Sequence, residues 1–165
     1  MKHIIAATLI ALAYGGAAFA EEKDHDHDHD HDKIVAGPTG GRVLTIVEPH
    51  AEFFVNKEKK VEIRFVDDDL KVVAPGEQSV SVIMGDRTKP TKLTFTKDGD
   101  KLVSDKAVPE GNDHPTVVSI KEKKGAKSKV AKFNLNLNDC PECKNKEYAC
   151  ECEHDHDHEG AEEKK

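Results

Sequence analysis

Lys60-Val61-Glu62-Ile63-Arg64-Phe65-Val66 carries the clearest periodicity in the chain. Val61, Ile63 and Phe65 fall on one side of an extended backbone, Glu62 and Arg64 on the other. A period of two predicts a strand with one face in a core and one face in water. The segment 130–138 repeats the pattern, with Phe133, Leu135 and Leu137 inward and Asn134, Asn136 and Asn138 outward. Further strand-length runs lie at 42–47 (RVLTIV), 51–56 (AEFFVN), 70–73, 79–84 (SVSVIM), 92–96 (KLTFT), 101–104 (KLVS) and 116–121 (TVVSIK). Turn signals separate them. Lys97-Asp98-Gly99-Asp100 predicts a hairpin, because glycine accepts positive φ. Asp67-Asp68-Asp69 reads as an ordinary acidic turn, and Gly37-Pro38-Thr39-Gly40-Gly41 as a hinge and turn stretch.

Eight or nine short strands and no helical apolar stripe predict an all-β domain over 34–138, an immunoglobulin-like β-sandwich. Phe53 or Phe54, Phe65, Phe95 and Phe133 supply its aromatic core. His50, at a strand junction, and His114, in a loop, read as solvated positions.

The ends of the chain have a different composition. Residues 1–20 combine Lys2, an apolar run too short to span a bilayer, and the small-x-small end Ala18-Phe19-Ala20. This predicts a signal peptide, a periplasmic or secreted protein, and no stable membrane insertion after cleavage. Residues 21–33 contain no apolar side chain and predict a tail without order in the absence of a ligand. The net charge of −7 argues against nucleic acid as a partner and suits a protein that attracts cations.

Inside the first tail, His25-Asp26-His27-Asp28-His29-Asp30-His31-Asp32 alternates two ligand types. Residues 139–165 form a second tail, with Cys140, Cys143, Cys150 and Cys152 followed by His154, His156 and His158. Neutral imidazole binds borderline dications, and an aspartate between rings attracts the ion, ligates it or fixes the imidazole tautomer. Four thiolates close a tetrahedral zinc site, and soft thiolates also suit Cu(I). Zinc is the first expectation for the metal and copper the second. An oxidising compartment leaves a second reading open, in which the four cysteines form two disulfides. No nucleophile–base pair or phosphate-binding loop is present in the sequence, so no enzymatic activity is expected.

Gly40-Gly41-Arg42-Val43-Leu44, Pro49-His50-Ala51-Glu52-Phe53-Phe54-Val55 and the ending Phe133-Asn-Leu-Asn-Leu137 with CPECKNKEYACEC resemble small exported bacterial proteins that accompany heavy-metal efflux systems of the resistance-nodulation-division type. The resemblance implies periplasmic metal handling and an efflux-system partner. The chain lacks the length and the helical hairpin of a pump adaptor. Two functions are therefore expected from the sequence: a periplasmic protein that buffers or delivers transition-metal ions, or a structural or interaction module with a disulfide-stapled tail.

Overall fold

A computed structural model describes residues 33–152, and within them the chain is all-β. Nine antiparallel strands follow in order: β1 (Arg42–Leu44), β2 (His50–Val55), β3 (Lys60–Val66), β4 (Val72–Val73), β5 (Ser79–Met84), β6 (Thr91–Asp98), β7 (Lys101–Ala107), β8 (Asp113–Lys121) and β9 (Lys129–Asn136). A single 3-10 turn, Glu147–Ala149, is the only helical element among the described residues. No helix there is long and apolar enough to cross a membrane.

The alternating segments fold as their pattern requires. Val61, Ile63 and Phe65 are fully buried. In β5, Val80, Val82 and Met84 are buried while the residues between them are exposed. The outward face of β3 differs from expectation. Glu62 is buried, and its carboxylate accepts hydrogen bonds from Arg64 (2.7 Å), Lys101 (2.9 Å) and Asn56 (3.0 Å). Burial pushes its pKa up, but these three donors outweigh burial and hold it below the usual carboxylate value. The acidic turn is confirmed: Asp67 accepts the amides of Asp69 and Lys71, at 3.0 and 2.9 Å, and closes the loop itself.

The strand order is β1-β2-β3-β7-β6-β5-β8-β9, with β4 added beside the end of β3. Strand β6 joins the two halves. Its residues 91–94 pair with β5 and its residues 95–98 pair with β7. The sheet bends at that change of partner and its two ends approach each other, giving a nearly closed antiparallel sheet. At the approach, the Arg42 guanidinium of β1 lies 5.0 Å over the Phe133 ring of β9, and Phe53 of β2 meets the same ring edge-on at 5.2 Å. This order does not single out the immunoglobulin arrangement within the all-β class. Phe53 and Phe65 are fully buried, whereas Phe95 and Phe133 are half-buried against the core.

Residues 139–152 do not stand apart from this body. Tyr148 and Ala149 are buried within the same apolar cluster as Phe53 and Leu135. Replacing Phe65 by alanine should cost about 3–5 kcal/mol in denaturant unfolding, the usual penalty for emptying a closed aromatic site. Phe133→Ala should cost less, because that ring is only half-covered. An equal or larger loss at Phe133 would mean that closure of the sheet, rather than side-chain burial, dominates stability.

Candidate metal centre

The cysteine segment begins where β9 ends. An isolated bridge between Asp139 and Lys146 closes its base, reinforced by their 2.6 Å ion pair. The Cys140 amide donates to the Asn145 carbonyl (3.1 Å) and the Glu147 amide to the Asn138 carbonyl (3.0 Å). The 3-10 turn then returns the chain, with Cys150 N–H donating to Glu147 O at 3.3 Å. The six residues between the two cysteine pairs are thus used by one bridge and one turn. Tyr148 and Ala149 point from that turn into the core. The Tyr148 hydroxyl accepts the Val55 amide at 3.2 Å, and its ring meets Phe53 edge-on at 6.1 Å. Burial, with the charge of Glu52 adding to it, pushes the Tyr148 hydroxyl up to about 12 against the effect of the Val55 donor.

This path brings one sulfur from each of Cys140, Cys143, Cys150 and Cys152 within 4.8 Å of all the others. Cys150 Sγ lies 3.3 Å from Cys140 Sγ and 3.6 Å from Cys143 Sγ. No disulfide joins any of the four. Zn–S bonds of about 2.3 Å in a tetrahedron put sulfurs about 3.8 Å apart, so the cluster needs only small side-chain adjustments to close on an ion. Backbone amides point at the sulfurs as such a site requires: Glu142 N–H to Cys140 Sγ at 3.4 Å and Cys152 N–H to Cys150 Sγ at 3.3 Å. Pro141 has no N–H and occupies the corner between Cys140 and Glu142. The four cysteines can hold a metal ion.

The thiols differ in acidity. Desolvation pushes Cys140 up, but the Glu142 amide, the Cys150 thiol and the Cys143 amide and thiol outweigh it and hold Cys140 at about 6. Desolvation raises Cys150, and the neighbouring thiols that use its proton raise it further. The hydrogen bond with Cys150 lowers Cys152, but desolvation and the Cys143 and Cys140 sulfurs leave it raised. These directions favour a thiolate at Cys140, with protons retained on Cys150 and Cys152. A dication would replace those protons.

No family model, curated protein or solved structure matches the chain. The candidate site therefore rests on its own geometry.

The other expected ligands have different fates. His25, Asp26, His27, Asp28, His29, Asp30, His31 and Asp32 lie outside the described residues, as do His154, His156 and His158. His114 is not a solvated loop residue. It is buried in β8 opposite Leu135, with no hydrogen-bond partner at Nε2. His50 is half-buried at the start of β2. Its Nδ1 bonds the Val47 carbonyl (3.0 Å), and its ring nitrogens lie 3.5 Å from Glu48 and Asp68. These three residues form a second, more exposed donor group. Glu52, in the second predicted strand, is fully buried. Its Oε1 accepts the Thr39 amide (2.9 Å), the Thr39 hydroxyl (2.7 Å) and the Gly41 amide (3.0 Å). A side chain at Gly37 would collide with that carboxylate, and one at Gly41 with the Phe53 carbonyl. The 37–41 stretch is the turn its sequence predicts, and the Glu52 carboxylate pins it where a hinge was expected.

Thiolate ultraviolet absorbance of the reduced, metal-free protein should rise through about pH 6, and Cys140→Ser should abolish that step. The thiolate is present above that pH and lost as pH falls through it. A Cys140 thiol titrating above pH 8 would contradict the described cluster.

Proposed function

We propose that the protein is a periplasmic metal-binding protein that buffers transition-metal ions or delivers them to a heavy-metal efflux system, with zinc as the first ion and copper as the second. The convergence of four cysteine sulfurs within 4.8 Å carries this reading. Sulfur-only coordination selects soft and borderline ions, and the amide-to-sulfur hydrogen bonds lower the cost of holding four thiolates together. The histidine–aspartate tails add weaker ligands at both ends of the same chain. Export and the efflux partner rest on the leader-like residues 1–20 and on the resemblance of the cysteine ending and the β1–β2 segments. The β body, read from its strand pattern as an immunoglobulin-like sandwich, is the scaffold that presents the sulfurs.

The competing reading is an interaction module whose cysteines are oxidised staples. It draws on the same sulfur proximity, since Cys140 and Cys150 are already 3.3 Å apart.

Zinc titration of the reduced protein against a chromophoric chelator separates the two readings. Wild type should show a tight, sulfur-dependent phase that disappears when all four cysteines are replaced by serine. Lowering pH from 7 to 5 should release most of the bound zinc, because protons return to thiolate and imidazole. Tyr148 supplies an internal signal, as the chain contains no tryptophan. Its emission should change with the tight phase. Equal affinity and stoichiometry in wild type and the four-serine variant would leave the cysteines as staples. Elemental analysis of protein taken from its native compartment identifies the ion.

A further inference from the structure

We propose that the cleft between the 56–59 turn and the segment joining the two cysteine pairs binds a small organic dicarboxylate with an apolar frame. The inference stands apart from the metal-binding reading and gives the body a second ligand site.

The cleft has a volume of about 560 Å³, within the range of small-molecule pockets. Phe54 and Val55 of β2, Leu137 just after β9 and Tyr148 supply its apolar lining, and each of them is buried or half-buried. Lys57, Lys59 and Lys144 also line it and are exposed.

The charge of this cleft runs against that of the chain. Four lysines line it, and no aspartate or glutamate does. The whole sequence has the opposite balance, 32 acidic residues against 25 basic ones. Lys146 is already paired with Asp139 at 2.6 Å. Lys57, Lys59 and Lys144 form no ion pair among the described residues. A cleft lined by one sign of charge over apolar walls focuses its field and concentrates ions of the other sign.

Two further features show a built site rather than scattered surface lysines. The 56–59 turn is held by Asn56, whose Oδ1 accepts the Glu58 amide (2.9 Å) and the Lys60 amide (3.0 Å). Lys59 ends that turn in the left-handed region, with φ at 57°. Glycine holds such a position without strain, whereas a residue with a Cβ does not. The chain places a lysine there, and its side chain lines the cleft. The second feature is Tyr148, which is only 3% exposed. Its hydroxyl accepts the Val55 amide at 3.2 Å, while its own proton has no acceptor among the described residues. Burial keeps that proton on the oxygen. The side-chain amide of Asn145, also in the lining, is likewise without a hydrogen-bond partner among the described residues.

These groups define the ligand. Unused hydroxyl and amide donors need acceptor oxygens. Three ammonium groups on two separate elements need more than one negative charge. The apolar lining needs a carbon frame. A dicarboxylate meets all three requirements. Sulfate lacks the frame, and a neutral diamide lacks the charge.

The test is a backbone amide NMR titration of the isotope-labelled full chain, reduced and metal-free, at fixed pH and ionic strength. The probes are isophthalate, adipate, sulfate and the neutral isophthalamide. Both dicarboxylates should give saturable shifts centred on Lys59, Asn112 and Asn145, and neither control should saturate over the same concentrations. Replacing Lys57→Gln, Lys59→Gly and Lys144→Gln together should raise Kd at least about tenfold, the effect of losing one charge-assisted hydrogen bond. Glycine at 59 suits the left-handed backbone, so this variant keeps its turn. Lys123→Gln, Lys124→Gln and Lys127→Gln remove the same charge beyond the other end of β8 and should leave Kd within about twofold, since distant charges are screened. Absence of saturable shifts with both dicarboxylates would overturn the proposal. So would sulfate saturating the same amides with equal affinity, isophthalamide binding as well as isophthalate, or equal weakening by the two triple variants.

Discussion

Three parts of the chain meet on the ring of Phe53. It sits in the middle of β2, paired with Arg42 on one side and Ile63 on the other. Phe133 of β9 presents its ring at 84° to it, and Tyr148 of the cysteine segment at 81°. Each edge-to-face contact contributes about 0.5–1.5 kcal/mol beyond burial. Their placement matters more than their sum. One contact holds the two ends of the sheet together, and the other seats the cysteine segment beside that closure. If Phe53 lost its ring, the turn carrying Tyr148 and Ala149 would lose the surface it packs on. The second cysteine pair would then no longer be held under the first.

Glu52, the neighbour of Phe53, secures the other side of the arrangement. A fully buried carboxylate is costly unless hydrogen bonds compensate it. Here one oxygen takes three of them from Thr39 and Gly41, and the glycines at 37 and 41 leave room for the side chain. The other oxygen has no hydrogen-bond partner in the described structure. The consequence is a hydrogen-bonded chain path from Ala36 to β1.

Much of the sheet was legible because its strands alternate. The bounds of β3 and β5 follow directly from their apolar periodicity, and Gly99 places the turn between β6 and β7 with φ at 62°. The early start of β8 was hidden by Pro115, which normally argues against a central strand. Its carbonyl accepts Gly85 N–H, so its amide edge faces β5 just past the last β5 pair, Met84 with Thr116. The missing N–H interrupts no ladder there. His114 became a buried strand residue for the same reason. The four cysteines were legible as a group from spacing alone. Their support was not, although Tyr148-Ala149 is an apolar pair in an otherwise polar stretch, which is the kind of signal an anchor leaves. Neither Glu52 as a turn anchor nor the hydrogen bond from the Ala36 amide to Glu151 could be inferred, because both depend on contacts between distant positions.

The anchoring of Tyr148 changes what metal binding has to accomplish. In a small zinc domain the ion supplies the order, and much of its binding free energy is consumed in folding the chain. Here the sulfurs are brought together by core burial, one bridge and one 3-10 turn. The work left for an ion is mainly displacement of thiol protons and small movements of four side chains. Affinity at such a centre follows proton competition and the softness of the ion more than the folding equilibrium. A cysteine segment seated on the core in this way does not depend on an ion for its order. That independence supports the proposed buffering and hand-over role over permanent structural storage.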